Sequence, residues 1–126
     1  MKYLKKFNES ILDNKFEIEM DKYDDDKFHF YVDGIKVGYI YIDSQYEENE
    51  IYLSSFTIFD EYQNKGFGKI FMKKILDFIK TKYNEEFIRL SVGYTNKIAI
   101  NMYKNFGFKE ADQNNKYEFF MIKENK

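Results

Sequence analysis

The sequence predicts an α+β domain with a mixed, mostly antiparallel sheet and a parallel strand, helix, strand crossover near its centre. Three observations predict it. Apolar and polar residues alternate with period two through three or four stretches before residue 59, two of them joined by the hairpin pair Asp33-Gly34. A run of helical period from Phe67 to Tyr83 follows, and an apolar strand, Phe87 to Val92, comes directly after it. That order usually closes as a right-handed parallel crossover. At 126 residues, 44% hydrophobic and 21% aromatic, the chain is long enough to bury a core and reads as one domain, 1–126.

Between Lys2 and Leu12, Tyr3, Leu4, Phe7 and Ile11 recur at helical spacing and predict a short amphipathic helix packed on the sheet. A first strand over Lys2 to Phe7 is the alternative. Phe16 to Tyr23 alternates as a half-buried strand until Asp24, Asp25 and Asp26 break it. This acidic run lacks the spacing and glycine of a calcium loop, so it reads as a solvated turn and no metal is expected. Phe28 to Val32 is the next strand, with His29 facing away from Phe28 and Phe30. The hairpin leads into Lys36 to Asp43, a polar loop spans Ser44 to Asn49, and Glu50 to Ile58 forms the strand before the helix.

Beyond the crossover, Asn96 is placed to cap a helix through Asn105, with Ile98, Ala99, Met102, Tyr103 and Phe106 on its apolar side. Gly107 fits its stop. Phe108 to Ala111 and Tyr117 to Ile122 close the sheet as a strand pair around the polar loop Asp112 to Lys116.

Composition removes several function classes. The 20 basic and 22 acidic residues are dispersed, and no basic stripe marks a nucleic-acid surface. Without cysteine there is no disulfide, thiolate zinc site or Cys nucleophile, and His29 is the sole histidine for a triad. No apolar run reaches membrane-span length and the N-terminus lacks a signal core, so a cytoplasmic protein without a membrane partner is expected.

The chemistry concentrates between Ile58 and Lys69. Gln63, Gly66 and Gly68 form a Q-x-x-G-x-G pattern across the start of the helix. Glycine there lets main chain approach a bound group, and the free amides of the first turn make an anion site suited to phosphate or pyrophosphate. Lys65 and Lys69 add positive charge.

The stretch Ile58-Phe59-Asp60-Glu61-Tyr62-Gln63-Asn64-Lys65-Gly66-Phe67-Gly68 resembles the acetyl-CoA loop of the GNAT acetyltransferase superfamily, a strand running into an R/Q-x-x-G-x-G/A turn and a helix. Asn96-Lys97-Ile98-Ala99, Tyr103 and Gly107-Phe108 resemble that family's second motif, at the expected place after the next strand. The resemblance covers Asp33 to about Ile122 and implies a GNAT-like sheet with helices on both faces. Asp60 and Asn64 depart from the proline and glycine common there, and Gln63 replaces a more frequent arginine. Upstream, only Asp24 to Lys27 separate strands that the family usually joins through two helices. The acceptor-side lid is therefore absent or replaced by the N-terminal helix.

The resemblance implies acetyl-CoA as cosubstrate, its pyrophosphate on the main-chain amides of Gln63, Asn64, Lys65, Gly66, Phe67, Gly68 and Lys69. The strand end at Phe56 and Ile58 would pair with the pantetheine arm, and the Ile58 amide would face the thioester oxygen. Asn96 would bond the pantetheine arm, cap its helix, or do both. Tyr103 would protonate the departing thiolate. Glu50, with Tyr52 on the same strand face, would relay the proton that an ammonium must lose before it attacks.

The expected function is transfer of acetyl from acetyl-CoA to an amine of a small molecule or protein by direct attack. The alternative is a non-catalytic GNAT-like module that binds coenzyme A or serves interaction. Longer acyl chains and hydroxyl acceptors remain open, and exposed edges of so aromatic a sheet would allow a homodimer.

Overall fold

The computed structural model describes residues 13–126. Its elements are β1 (Phe16–Met20), β2 (Lys27–Val32), β3 (Ile35–Glu47), β4 (Glu50–Ile58), a 3-10 turn (Asp60–Tyr62), α1 (Phe67–Lys82), β5 (Phe87–Gly93), α2 (Lys97–Asn105), β6 (Lys109–Gln113) and β7 (Glu118–Glu124). The strands form one sheet of order β1-β2-β3-β4-β5-β7-β6. Among the described residues only β4 and β5 run parallel, joined through α1, and the other pairings are antiparallel. The helix expected at 2–12 lies outside the described residues.

Local chemistry accounts for the turns. Asp33 and Gly34 both take positive φ, 52° and 82°, as a two-residue hairpin with the right-handed strand twist requires. The acidic run at Asp24 to Asp26 folds as a turn held by carboxylates: Asp21 Oδ2 accepts from the Tyr23 and Asp24 amides, and Asp24 Oδ1 from the Asp26 amide. His29, on the face away from Phe28 and Phe30, bonds Asp21 Oδ1 at 2.5 Å. That bond, above all, holds the Asp21 carboxyl below its ordinary range.

Two expectations for β3 are corrected. Ser44 to Asn49 is not a loop: β3 continues to Glu47 and pairs with Glu50 around a tight turn in which Asn49 has φ 64°. The polar sequence hid a strand, which an aromatic pair across it, Tyr46 stacked on Tyr52 with centroids 4.7 Å apart, helps to hold. Nor does β3 alternate simply. Phe30 opposes Gly38 while Tyr31 opposes Lys36, so Val37 is an extra residue and joins Ile40 and Ile42 in the core.

Helix α1 lays Phe67, Phe71, Met72, Ile75, Leu76 and Ile79 on the sheet face that carries Phe28, Phe30 and Val32. Phe71 stacks on Phe30 with centroids 4.5 Å apart, and Phe16 meets the edges of Phe67 and Phe71. On the outer face of α1, Lys69, Lys73, Asp77 and Lys80 are exposed. Helix α2 lies beside it, with Met102 Sδ 4.0 Å from where a Cβ on Gly68 would stand. It ends as the sequence implies: Gly107 takes φ 98°, its amide donates to Lys104 O, and the Phe108 amide donates to Tyr103 O. The opposite sheet face presents His29, Tyr31, Tyr39, Tyr41, Tyr52 and Arg89, all half-buried.

Candidate active site

Strands β4 and β5 stay in register from Glu50 opposite Phe87 to Leu53 opposite Leu90, and there the ladder stops. Beyond it β4 bulges. Three steps along β4, Ser54 to Thr57, match two along β3, Tyr41 to Tyr39, and Ser55 takes φ 56°. Gly38 makes this fit possible, because a Cβ there would lie 2.0 Å from the Thr57 carbonyl oxygen. The two parallel strands thus part and leave a cleft of about 240 Å³. Its walls include Leu53, Phe56 and Leu90 from the strands, Met72 from α1 and Tyr103 from α2.

Tyr103 is buried, 9% exposed, with its ring 5.8 Å from Phe108 edge-on. Burial pushes its phenol up to about 12. The hydroxyl therefore keeps its proton throughout the neutral range and is a donor.

At the end of β4, the Phe59 amide donates to Val37 O, so the neighbouring Ile58 and Gly38 form a non-hydrogen-bonded pair. The N–H and C=O of Ile58 point at the open edge instead. The carbonyl is taken by Gln63 Nε2 at 2.9 Å, which also reaches Asp60 Oδ1 at 3.3 Å. With its main-chain N–H donating to Asp60 O, Gln63 braces the loop. In this arrangement its main-chain and side-chain hydrogens are engaged within the loop.

The two helix starts differ in a telling way. Asn96 caps α2, its Oδ1 accepting from the Ala99 amide at 3.2 Å. Helix α1 has no side-chain cap and no acidic residue in its first turn, and it begins from Gly66 at φ 84° with Asn64 at φ 63° just before. Helix geometry gives the amides of its first turn no carbonyl four residues back, and the fit to a pyrophosphate rests on that. Beside them lies a groove of about 340 Å³ lined by Ile58, Tyr62, Gln63, Asn64, Gly66, Phe67, Gly68, Asn96 and Ile98. The fold brings both motifs onto one surface. The Phe67 ring is core, 1% exposed, so only its main chain can serve. Lys65 and Lys69 line neither groove nor cleft; Lys69 borders a recess with Lys73, Lys74 and Phe106.

Glu50 sits at the closed end of the seam. Arg89 donates to it twice, Nε to Oε1 at 2.8 Å and Nη2 to Oε2 at 3.0 Å, with both side chains less than 20% exposed. The Arg89 hydrogen bond holds the Glu50 carboxyl below its ordinary value. Such a carboxylate is a poor proton acceptor. Ser91 and Glu118, which sequence reasoning missed, do reach the cleft. Nothing in the pattern marked Glu118, because the pairing of β7 on β5 carries it there.

A model of the acetyltransferase (GNAT) family matches residues 2–108. The chain belongs to the acetyltransferase (GNAT) family. This GNAT chain is 33% identical over 103 residues to the spermine/spermidine N(1)-acetyltransferase of Bacillus subtilis, covering 75% of this chain and 66% of that protein. It is 30% identical over 90 residues to the N-alpha-acetyltransferase of Sulfurisphaera tokodaii, covering 64% and 54% respectively. The chain thus spans a little over half to two thirds of the length of these relatives. In fold it resembles the PaiA N-acetyltransferase of Thermoplasma acidophilum, solved with coenzyme A, at a TM-score of 0.64 and 23% identity over 78% of this chain and 59% of that one.

Proposed function

We propose that this GNAT chain is an N-acetyltransferase that moves acetyl from acetyl-CoA to the amine of a small molecule or protein by direct attack, in a cytoplasm. The observation that carries the reading is the parting of β4 from β5 after Leu53, with Tyr103 on the wall of the cleft; the separate groove beside the uncapped start of α1 supports it. The PaiA structure holds coenzyme A on a like fold, which supports the same cosubstrate here.

When bound, the thioester supplies an activated acetyl carbonyl. The main-chain amides from Asn64 to Lys69 hold the pyrophosphate, Asn96 Nδ2 is available to the pantetheine arm, and the free edge of β4 from Phe56 to Ile58 pairs with it. The Ile58 N–H faces the carbonyl oxygen and stabilises the negative charge that develops on it. Tyr103 gives its proton to the departing sulfur. Glu50 serves as an anchor rather than the base, because Arg89 occupies both its oxygens.

A binding module would share the groove and lack turnover. Calorimetric titration with acetyl-CoA beside Gly66→Glu, followed by free-thiol release with an amine panel, tests the reading. Micromolar binding lost in the variant, with amine-dependent thiol release, is expected. Binding without release would leave the module, and no binding by folded protein would remove the cofactor site as well.

A further inference from the structure

We infer that Glu118, held in position by Ser91 and Asn114 at the cleft mouth on the sheet face opposite α1 and α2, receives the acceptor amine. The inference rests on the acetyl-transfer reading above.

The cleft passes through the sheet. Leu53, Leu90, Met72 and Tyr103 line it on the side the helices cover, while Tyr52, Ser91 and Glu118 belong to strand positions of the opposite face. One mouth is apolar with a proton donor. The other is polar and carries a carboxylate.

Glu118 is the first residue of β7, and its main chain is pinned three times. Its amide donates to Asn115 Oδ1 at 3.0 Å, and its carbonyl accepts from the amides of Asn114 and Asn115, each at 3.1 Å. The side chain is steered by a short chain of bonds: Asn114 Nδ2 donates to Ser91 Oγ at 3.1 Å, and Ser91 Oγ donates to Glu118 Oε1 at 3.4 Å. Directly across the ladder stands Gly93, which puts no side chain over the carboxylate, and Ser91 is the β5 side chain that bonds it. A Cβ at Gly93 would meet only Tyr117 O, at 3.8 Å.

The contrast with Glu50 decides the assignment. Arg89 neutralises Glu50, whereas among the described residues no lysine or arginine forms an ion pair with Glu118. A half-buried carboxylate at a cleft mouth, without a protein cation, suits a ligand cation. At neutral pH an alkyl amine is that cation.

Protons balance as follows. One ammonium proton passes to Glu118, the freed nitrogen lone pair forms the C–N bond, and the C–S bond breaks with its electrons on sulfur. Tyr103 protonates the thiolate. The second surplus proton of the nitrogen returns through water to the tyrosinate, and Glu118 releases its proton to solvent. One ammonium and one thioester give one amide, one thiol and one proton.

The test uses the whole chain, n-butylamine, spermidine and an unblocked peptide as acceptors, and the variants Glu118→Gln and Glu118→Asp. For any amine that the wild type acetylates, Glu118→Gln is expected to lower kcat/KM about 100-fold. Glu118→Asp should recover part of the rate, and acetyl-CoA affinity should hold within about twofold. Unchanged kcat/KM in Glu118→Gln would overturn the inference. So would a fall that tracks a lower Tm and is not recovered in part by Glu118→Asp, because Glu118 would then be a brace for the β6–β7 turn. Wild type that binds acetyl-CoA but acetylates none of the amines overturns the inference together with the transferase reading and leaves the binding module. Failure to bind acetyl-CoA removes the reading beneath it.

Discussion

Along the β4–β5 seam, the end that carries Glu50 and Phe87 is closed by four register pairs and a bidentate ion pair, whereas Ser54 to Ile58 have no partner on β5. Both ends belong to the same two strands, with similar apolar alternation. The difference comes from what flanks them. At the closed end a guanidinium matches a carboxylate and lies over the Phe120 ring, 5.0 Å from its centroid. At the open end a bulge turns β4 away, and Gly38 on β3 makes room for it. A cleft forms where one pair of parallel strands is held firmly at one end and bent at the other.

Gly38→Ala attacks the open end and should have the largest effect. Its methyl would overlap the Thr57 carbonyl, so a loss of about 3 kcal/mol is expected in urea unfolding. A variant as stable as wild type would mean that the bulge is not set by this contact. Arg89→Met attacks the closed end and leaves Glu50 half-buried and unpaired, at a cost of about 2 kcal/mol. If Glu50 is an anchor, Glu50→Gln in the same background should restore part of that stability and keep kcat near the Arg89→Met value. A further collapse of kcat on adding Glu50→Gln would revive the base role.

Tyr103→Phe removes one hydroxyl from the cleft wall and should lower kcat about tenfold, about 1.4 kcal/mol of barrier, without weakening acetyl-CoA binding. With the phenol pushed up to about 12, wild-type activity should show no alkaline loss from Tyr103 below about pH 10. Retained turnover in the phenylalanine variant would dismiss the proton donor.

The smallest effect is the acid dependence of stability. The Glu50 carboxyl lies below its ordinary 4.5 when folded, chiefly through the Arg89 hydrogen bond, so the unfolded chain takes up the proton first as pH falls. The contribution of the pair is therefore complete above about pH 4.5 and is lost as pH drops through the folded value. Urea midpoints between about pH 7 and about pH 3 should fall less steeply in Arg89→Met/Glu50→Gln than in wild type. Parallel curves would deny the linkage.

Much of this molecule was legible from local pattern. Strand β4 and helix α1 fall where alternation and helical period place them, and Asn96 and Gly107 cap and stop α2 through their own side-chain and backbone chemistry. The polar end of β3 was not legible, because a strand held by cross-strand partners need not be apolar. Nor was the bulge at Val37, since a period-two reading has no means of registering one extra residue.

The same division runs through the site. Residues close in sequence announced the groove: Gly66 starts the helix from a positive φ, and Gln63 braces the same loop through its side chain. Long-range pairing decided the rest. Arg89 meets Glu50 across 39 positions of chain and Ser91 meets Glu118 across 27, so one carboxylate is neutralised and the other left open. Residue type is identical in the two cases. Charge pairing is a property of which strands become neighbours, and no local period encodes that.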